Sequence, residues 1–208
     1  MAGAHEQLER AEHAQHAAHG GHHGVETNRR IALLIAVLAL FLAIAETLGK
    51  SAQTEALSYN VEASNLWAFF QAKTIRQTAV RTAAETVELT RPQATDPAVK
   101  DAIAKRLDTW GKTVARWESE PGEGGKPGEG RRELSARAMD AEKKRDTALA
   151  RYHHYEVSSA AFQIAIVLAS AAVITGTLVL AFVAIGLGGV GLAFAAVGLL
   201  APHAIHLF

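Results

Sequence analysis

Residues 31–48 read IALLIAVLALFLAIAETL, eighteen positions with a single charge, Glu46. At 1.5 Å per residue a helix of that length rises about 27 Å, close to the roughly 30 Å of a bilayer core. Arg29 and Arg30 bound the stretch on one side and Lys50 on the other. It predicts a membrane-crossing helix over 29–49, with Glu46 close enough to its end to reach headgroup water. Ala43-Ile44-Ala45 also has the small-x-small form of a signal-peptide cleavage site, but the polar run of 30 residues ahead of the apolar core is long for that role.

A second apolar block, residues 157–200, holds 44 positions without Asp, Glu, Lys or Arg. That is enough for two crossings. Thr175-Gly176-Thr177 is its least apolar point and predicts a tight turn, giving spans over 157–175 and 177–201 and a tail over 202–208. Ala161, Ala165 and Ala169 step by four along one helix face, and the last span carries Ala184, Gly188, Gly189, Gly191 and Ala193. Small residues let helices approach closely, either within the hairpin or between copies. Gln163 is expected to bond to a neighbouring helix.

Charge is segregated. The chain has 21 basic and 21 acidic residues, and eighteen of the basic ones lie between Lys50 and Arg151. The balance argues against a nucleic-acid partner, whose footprint is a basic excess. Without cysteine, thiol catalysis and zinc–thiolate clusters are excluded. The polar middle, 50–156, reads as helical. Tyr59, Ala63, Leu66 and Phe70 recur at heptad spacing and continue at Val80, Ala84 and Val87, with Lys73 and Gln77 as an interruption. Arg91-Pro92 and Asp96-Pro97 break this helix, and Asp96 is a good N-cap for a second, over 97–118, with Ile103, Leu107, Trp110, Val114 and Trp117 on one stripe. Residues 119–130 are a Gly/Pro linker lacking the phosphate-loop pattern, so no nucleotide is expected. A third helix from Arg131 turns Leu134, Ala138, Ala141 and Ala148 inward. A first helix of about 60 Å and a third of about 39 Å reconnect easily only if the second folds back at Pro92–Pro97. The expected fold class is all-α: three transmembrane helices with an extramembrane antiparallel helical or coiled-coil bundle and the linker at its tip.

The runs RIALLIAVLALFLAIAETLGKSAQTEALSYNVEASNLWAFFQAKTIRQTAVRTAAE, from Arg30, and YHHYEVSSAAFQIAIVLASAAVITG, from Tyr152, resemble the bacterial membrane family defined by domain of unknown function 4337. SNLWAFFQAKTIR is the most specific part, and the likeness extends to HEQLERAEHAQHAAHGG in the tail. The resemblance implies a multi-pass protein of the bacterial inner membrane and no assigned activity. Within the specific run, Asn65, Trp67, Phe69, Phe70, Gln71 and Lys73 are the candidate interaction residues, and a plain bundle core with solvated flanks is the alternative. The expected partners are the bilayer and further copies of the chain. His153 and His154, between Tyr152 and Tyr155, read as interfacial anchors.

Five basic residues flank the spans on the middle's side (Lys50, Lys143, Lys144, Arg145, Arg151) against two on the other (Arg29, Arg30), favouring a cytoplasmic middle. A non-enzymatic, self-associating scaffold is the leading expectation, with a metal-binding or pH-sensing accessory and a small transporter or channel component as alternatives. The accessory reading rests on residues 1–28, where His13, His16, His19 and His22 step by three and His23 follows. On a helix such neighbours stand about 5–6 Å apart, and imidazole suits Zn, Ni or Cu; the alternative is a solvated tail that changes charge near pH 6.5, with no cofactor. Zinc titrated against the intact chain and a chain lacking residues 1–24 separates the two: a metal site predicts saturable binding only in the intact chain, and equal affinity overturns it.

Overall fold

The computed structural model describes residues 2–204, with side chains at 26 and 28–204. The tail histidines His13, His16, His19, His22 and His23 lie outside the described side chains. Four helices follow one another: α1 (Ala2–Thr90), α2 (Pro97–Glu118), α3 (Arg131–Thr175) and α4 (Leu178–Leu200), with a 3-10 turn at Arg91–Gln93. No strand occurs among the described residues. The chain divides into an apolar unit, ending at Gln53 on α1 and resuming at Leu149 on α3, and a helical unit, Thr54–Ala148.

In the apolar unit, α1 buries Ile31, Leu38 and Ala45, each seven residues from the next. Phe162, Ala165, Ala169 and Ala172 of α3 and Ala181 and Ala184 of α4 complete that core. Phe162 is its largest fully buried side chain and stacks on Phe41 at 6.0 Å. α4 makes room with glycine. A Cβ on Gly188 would stand 2.7 Å from Leu38 Cδ2, and one on Gly191 would stand 2.9 Å from the Phe162 ring. Gly186 and Gly189 face open space. Of the small residues, Ala161, Ala165, Ala169, Ala184, Gly188 and Gly191 are buried within this unit, while Gly189 and Ala193 face outward. Ser158 Oγ adds a buried hydrogen bond, donated to Gly191 O at 2.7 Å.

α3 reverses into α4 at Gly176, whose φ of +69° is the left-handed conformation glycine tolerates, and its N–H donates to Ala172 O at 2.9 Å. At the other end of α4, Gly198 seats His154 and Tyr155. His154 Nε2 lies 3.0 Å from Pro202 O and its ring stacks on Phe194. His154, one of the two expected anchors, is thus a core residue together with Tyr155, because Gly198 offers no side chain to keep them out. The outward faces are aliphatic and aromatic: Leu40 is 60%, Val167 66% and Phe182 71% exposed.

In the helical unit, α1 forms the backbone against which two helices lie antiparallel. The chain reverses at Arg91–Gln93, and Asp96 caps α2 by accepting from Ala98 N–H at 2.8 Å, with Pro97 in the first turn. α2 then runs back along α1: Leu107, Trp110 and Val114 share a groove with Val80 and Ala84. Every residue of its apolar stripe is only half-buried, since α2 packs on one side alone. α3 buries Leu134, Ala138, Ala141 and Ala148, and the core of the unit is Leu66, Leu134 and Ala138 with Trp67 and Phe70 against them.

The linker is not at the tip. α2 folds back, so the tip is the turn at 91–96, and residues 119–130 close into a loop at the meeting point of α2 and α3. Glu129 N–H donates to Glu120 O at 3.2 Å, while Glu133 accepts from Ser119 Oγ at 2.6 Å and from Glu120 N–H at 3.2 Å. Gly124 and Gly125 adopt φ of +59° and +81°, and a Cβ on Gly130 would collide with Glu133 and the Glu120 backbone. Glycine here serves a tight turn and a close chain crossing, and not only flexibility. Replacing Gly191 by Val should displace Phe162 and lower stability by about 1–3 kcal/mol, read as a reduced thermal midpoint in detergent, whereas Gly186→Val should stay within about 0.5 kcal/mol.

Candidate functional site

The heptad seam of α1 runs 59, 63, 66, 70, then 73 and 77, then 80, 84, 87. Lys73 and Gln77 keep the same spacing and do not interrupt the seam: they fill it, 6% and 1% exposed. A buried polar group costs free energy unless it is hydrogen-bonded, and the two are bonded across helices. Gln77 Nε2 donates to Val114 O at 3.3 Å and to Glu118 Oε2 at 3.1 Å, and Gln77 Oε1 accepts from Arg131 Nη1 at 2.7 Å. Arg131 also bonds Glu118 Oε2 at 2.8 Å. One residue from each of α1, α2 and α3 thus closes a ring of donors and acceptors.

The placement of the two charges matters. Glu118 ends α2 and Arg131 begins α3, each at the helix end where the macrodipole disfavours its sign. Brought together they neutralise each other, and Arg132 adds a second cation 3.6 Å from Glu118. The Arg131 guanidinium stacks 4.9 Å above Phe70. Lys73, on the neighbouring turn, donates to the Glu129 carbonyl, pairs with Glu120 at 3.7 Å, and sits 5.2 Å over Phe69. The layer therefore holds the closed loop against α1 as well as the helices against each other.

The Gln77 amide, backed by Arg131 and Arg132, holds the Glu118 carboxyl below its ordinary value of 4.5. The Ser119 hydroxyl does the same for Glu133, helped by the Glu120 N–H. Carboxylates with depressed pKa stabilise the fold above their unfolded pKa, and that contribution is lost as pH falls through the folded value.

The predicted interaction residues divide. Trp67 and Phe70 are half-buried and meet edge-to-face at 5.5 Å, and Trp67 Nε1 donates to Glu142 at 2.9 Å. With Lys73 they belong to the interior. Phe69 is 39% exposed beneath Lys73, while Asn65 and Gln71 face outward. Gln77, Glu118, Arg131 and Glu133 were missed by the sequence reading. The available signal was the spacing: Gln77 follows Lys73 by four in an otherwise apolar seam. No group of three or more metal-ligating side chains occurs among the described residues. The layer's chemistry is cohesive: its bonds fix the register of three helices.

Lowering pH from about 7 to below the ordinary carboxylate range should lower the thermal midpoint of the helical unit. Glu118→Gln should start less stable at neutral pH and show a shallower acid dependence. An unchanged slope would show that Glu118 contributes nothing to it.

The sequence profile of the domain of unknown function DUF4337 matches residues 27–201, which takes in all three long apolar segments, the polar layer and the loop. No curated protein and no solved structure gives a significant match. With most of its length covered by that profile, the chain belongs to the DUF4337 family.

Proposed function

We propose that the protein is a non-enzymatic, membrane-anchored scaffold of the bacterial inner membrane that assembles through its helical unit. Among the described residues, three helices are long and apolar enough to cross a bilayer, and at most a third of the most apolar stretch of each is buried in the chain; apolar faces left outward at this scale suit lipid. The basic residues beside the spans favour the helical unit in the cytoplasm.

The observation that carries the assembly reading is a second stripe on α1, apolar but for one serine. Leu57, Val61, Ser64, Ala68, Ala72, Ile75 and Ala79 are all exposed. At 100° per residue they fall within about 80° of one another, opposite the seam that packs on α2 and α3. None is charged, and Leu57 and Ile75 are 64% and 70% exposed. Copies anchored in one membrane stand the same way up, so each stripe meets an identical stripe in matching order. This is the condition for a self-complementary two-fold contact, and anchoring raises the effective concentration. The alanines and Ser64 are small enough to permit close approach.

Because the chain has no cysteine, single-cysteine variants test this cleanly. Ala68→Cys, on the stripe, should cross-link to dimer in membranes, and Glu62→Cys, off the stripe, should not. A monodisperse monomer in mild detergent, with no Ala68→Cys dimer in membranes, would rule the scaffold out.

A further inference from the structure

The apolar unit has a polar cleft between α1 and α3. Its volume is about 330 Å³, and Glu46, Lys50, Gln53, Tyr152, Glu156 and Gln163 supply its polar lining. α1 and α3 are antiparallel there: Glu46 is level with Gln163, whose Nε2 donates to Glu46 Oε1 at 3.3 Å. From that pair the cleft runs along both helices to Gln53 and Tyr152, past Gly49, where a Cβ would stand 3.4 Å from Tyr155 Cβ.

Glu46 is the only charged residue between Ile31 and Gly49, and Gln163 lies in a segment without any charge. If these segments cross the membrane, the cleft opens to lipid at its inner end and to the headgroup layer at its outer end. An ionisable side chain at such a depth normally faces a cavity or a partner. Gln163 gives Glu46 a neutral hydrogen bond. A primary ammonium is a charged donor, with three N–H groups to distribute among carboxylates, amide oxygens and hydroxyls. Glu46, the oxygens of Gln53 and Gln163, and Glu156, which already accepts from the Tyr152 hydroxyl at 3.4 Å and lies 3.7 Å from His153 Nδ1, offer such acceptors. Lys50, in the same lining, provides the opposite charge a phosphate requires. Alongside the Glu46–Gln163 pair, Val167 is exposed one turn further along α3, giving an acyl chain an aliphatic surface to follow.

We infer that this cleft binds the head group of an aminophospholipid, with the ammonium against Glu46 and Glu156 and the phosphate toward Lys50. The inference rests on the membrane reading above. The methylation state of the amine is the chemical discriminator, because a choline head group carries the same charge with no N–H to donate.

The test is native mass spectrometry of the delipidated full chain in detergent, titrated with phosphatidylethanolamine, phosphatidylcholine and phosphatidylglycerol of identical acyl chains. One charge-assisted bond is worth about tenfold in affinity. The expected result is about tenfold more ethanolamine lipid bound than choline lipid, falling to near equality in Glu46→Gln, with phosphatidylglycerol binding unchanged. Glu156→Gln reads the same preference should Glu46→Gln not fold. Equal ethanolamine and choline binding in the wild type overturns the inference, as does a preference for phosphatidylglycerol, which would indicate a site for phosphate alone. Competition by free phosphoethanolamine as effective as the lipid would also overturn it, making the ligand a soluble amine. Flotation with phosphatidylcholine vesicles keeps the two readings apart: a chain that floats but shows no amine preference fails only here, and one that does not float fails the membrane reading.

Discussion

Three helices of the helical unit are fixed at one level by the side chain of Gln77. Its amide accepts from α3 and donates to α2, using both ends of one planar group. Remove it and two opposite charges remain, at the wrong ends of their helices for the macrodipole and without the acceptor and donor that set their distance. The Trp67–Glu142 bond aside, the leucine and alanine contacts above and below would by themselves tolerate a slip of a turn, since they have no directional preference. The ring does not, because its bonds exist in a single register, which is how a polar position in a heptad specifies pairing.

The apolar unit is held by different means. Its fit is one of volume: Phe162 and Leu38 enter recesses left by Gly191 and Gly188. Each large side chain comes from a helix other than the one that supplies the glycine. Packing in such an interior gives up van der Waals contact steeply with distance, so the glycines set how near α4 can come. A buried directional bond, from Ser158 to the Gly191 carbonyl, fixes height along the helix.

Much of this was legible in the sequence. The helices, the proline breaks, the Asp96 cap and the turn at Gly176 follow from local rules about φ, missing N–H groups and apolar runs. The inward alanines of α3 followed from spacing. The polar layer did not, because partners separated by 41 and 54 residues, as Gln77 is from Glu118 and Arg131, leave no local trace. A lysine and a glutamine in a seam look like an interruption until the opposing charges are in place. The loop was misread for a related reason. Glycine-rich composition signals freedom when nothing crosses the chain, and here Lys73 and Glu133 tie it down from α1 and α3. His154 was misplaced because the space that admits it belongs to Gly198, 44 residues further on.

The closed loop gives the chain a place to take up extra length. Its two ends are bonded to each other and to Glu133, so the helices on either side are positioned without reference to what lies between Glu123 and Lys126. Extending a loop whose ends are already joined costs little, on the order of 0.6 kcal/mol for each doubling of length. The Gly124-Gly125 turn is therefore a natural port for inserted sequence. An epitope or a whole reporter domain spliced there would be displayed from the flank of the helical unit while the polar layer keeps its geometry.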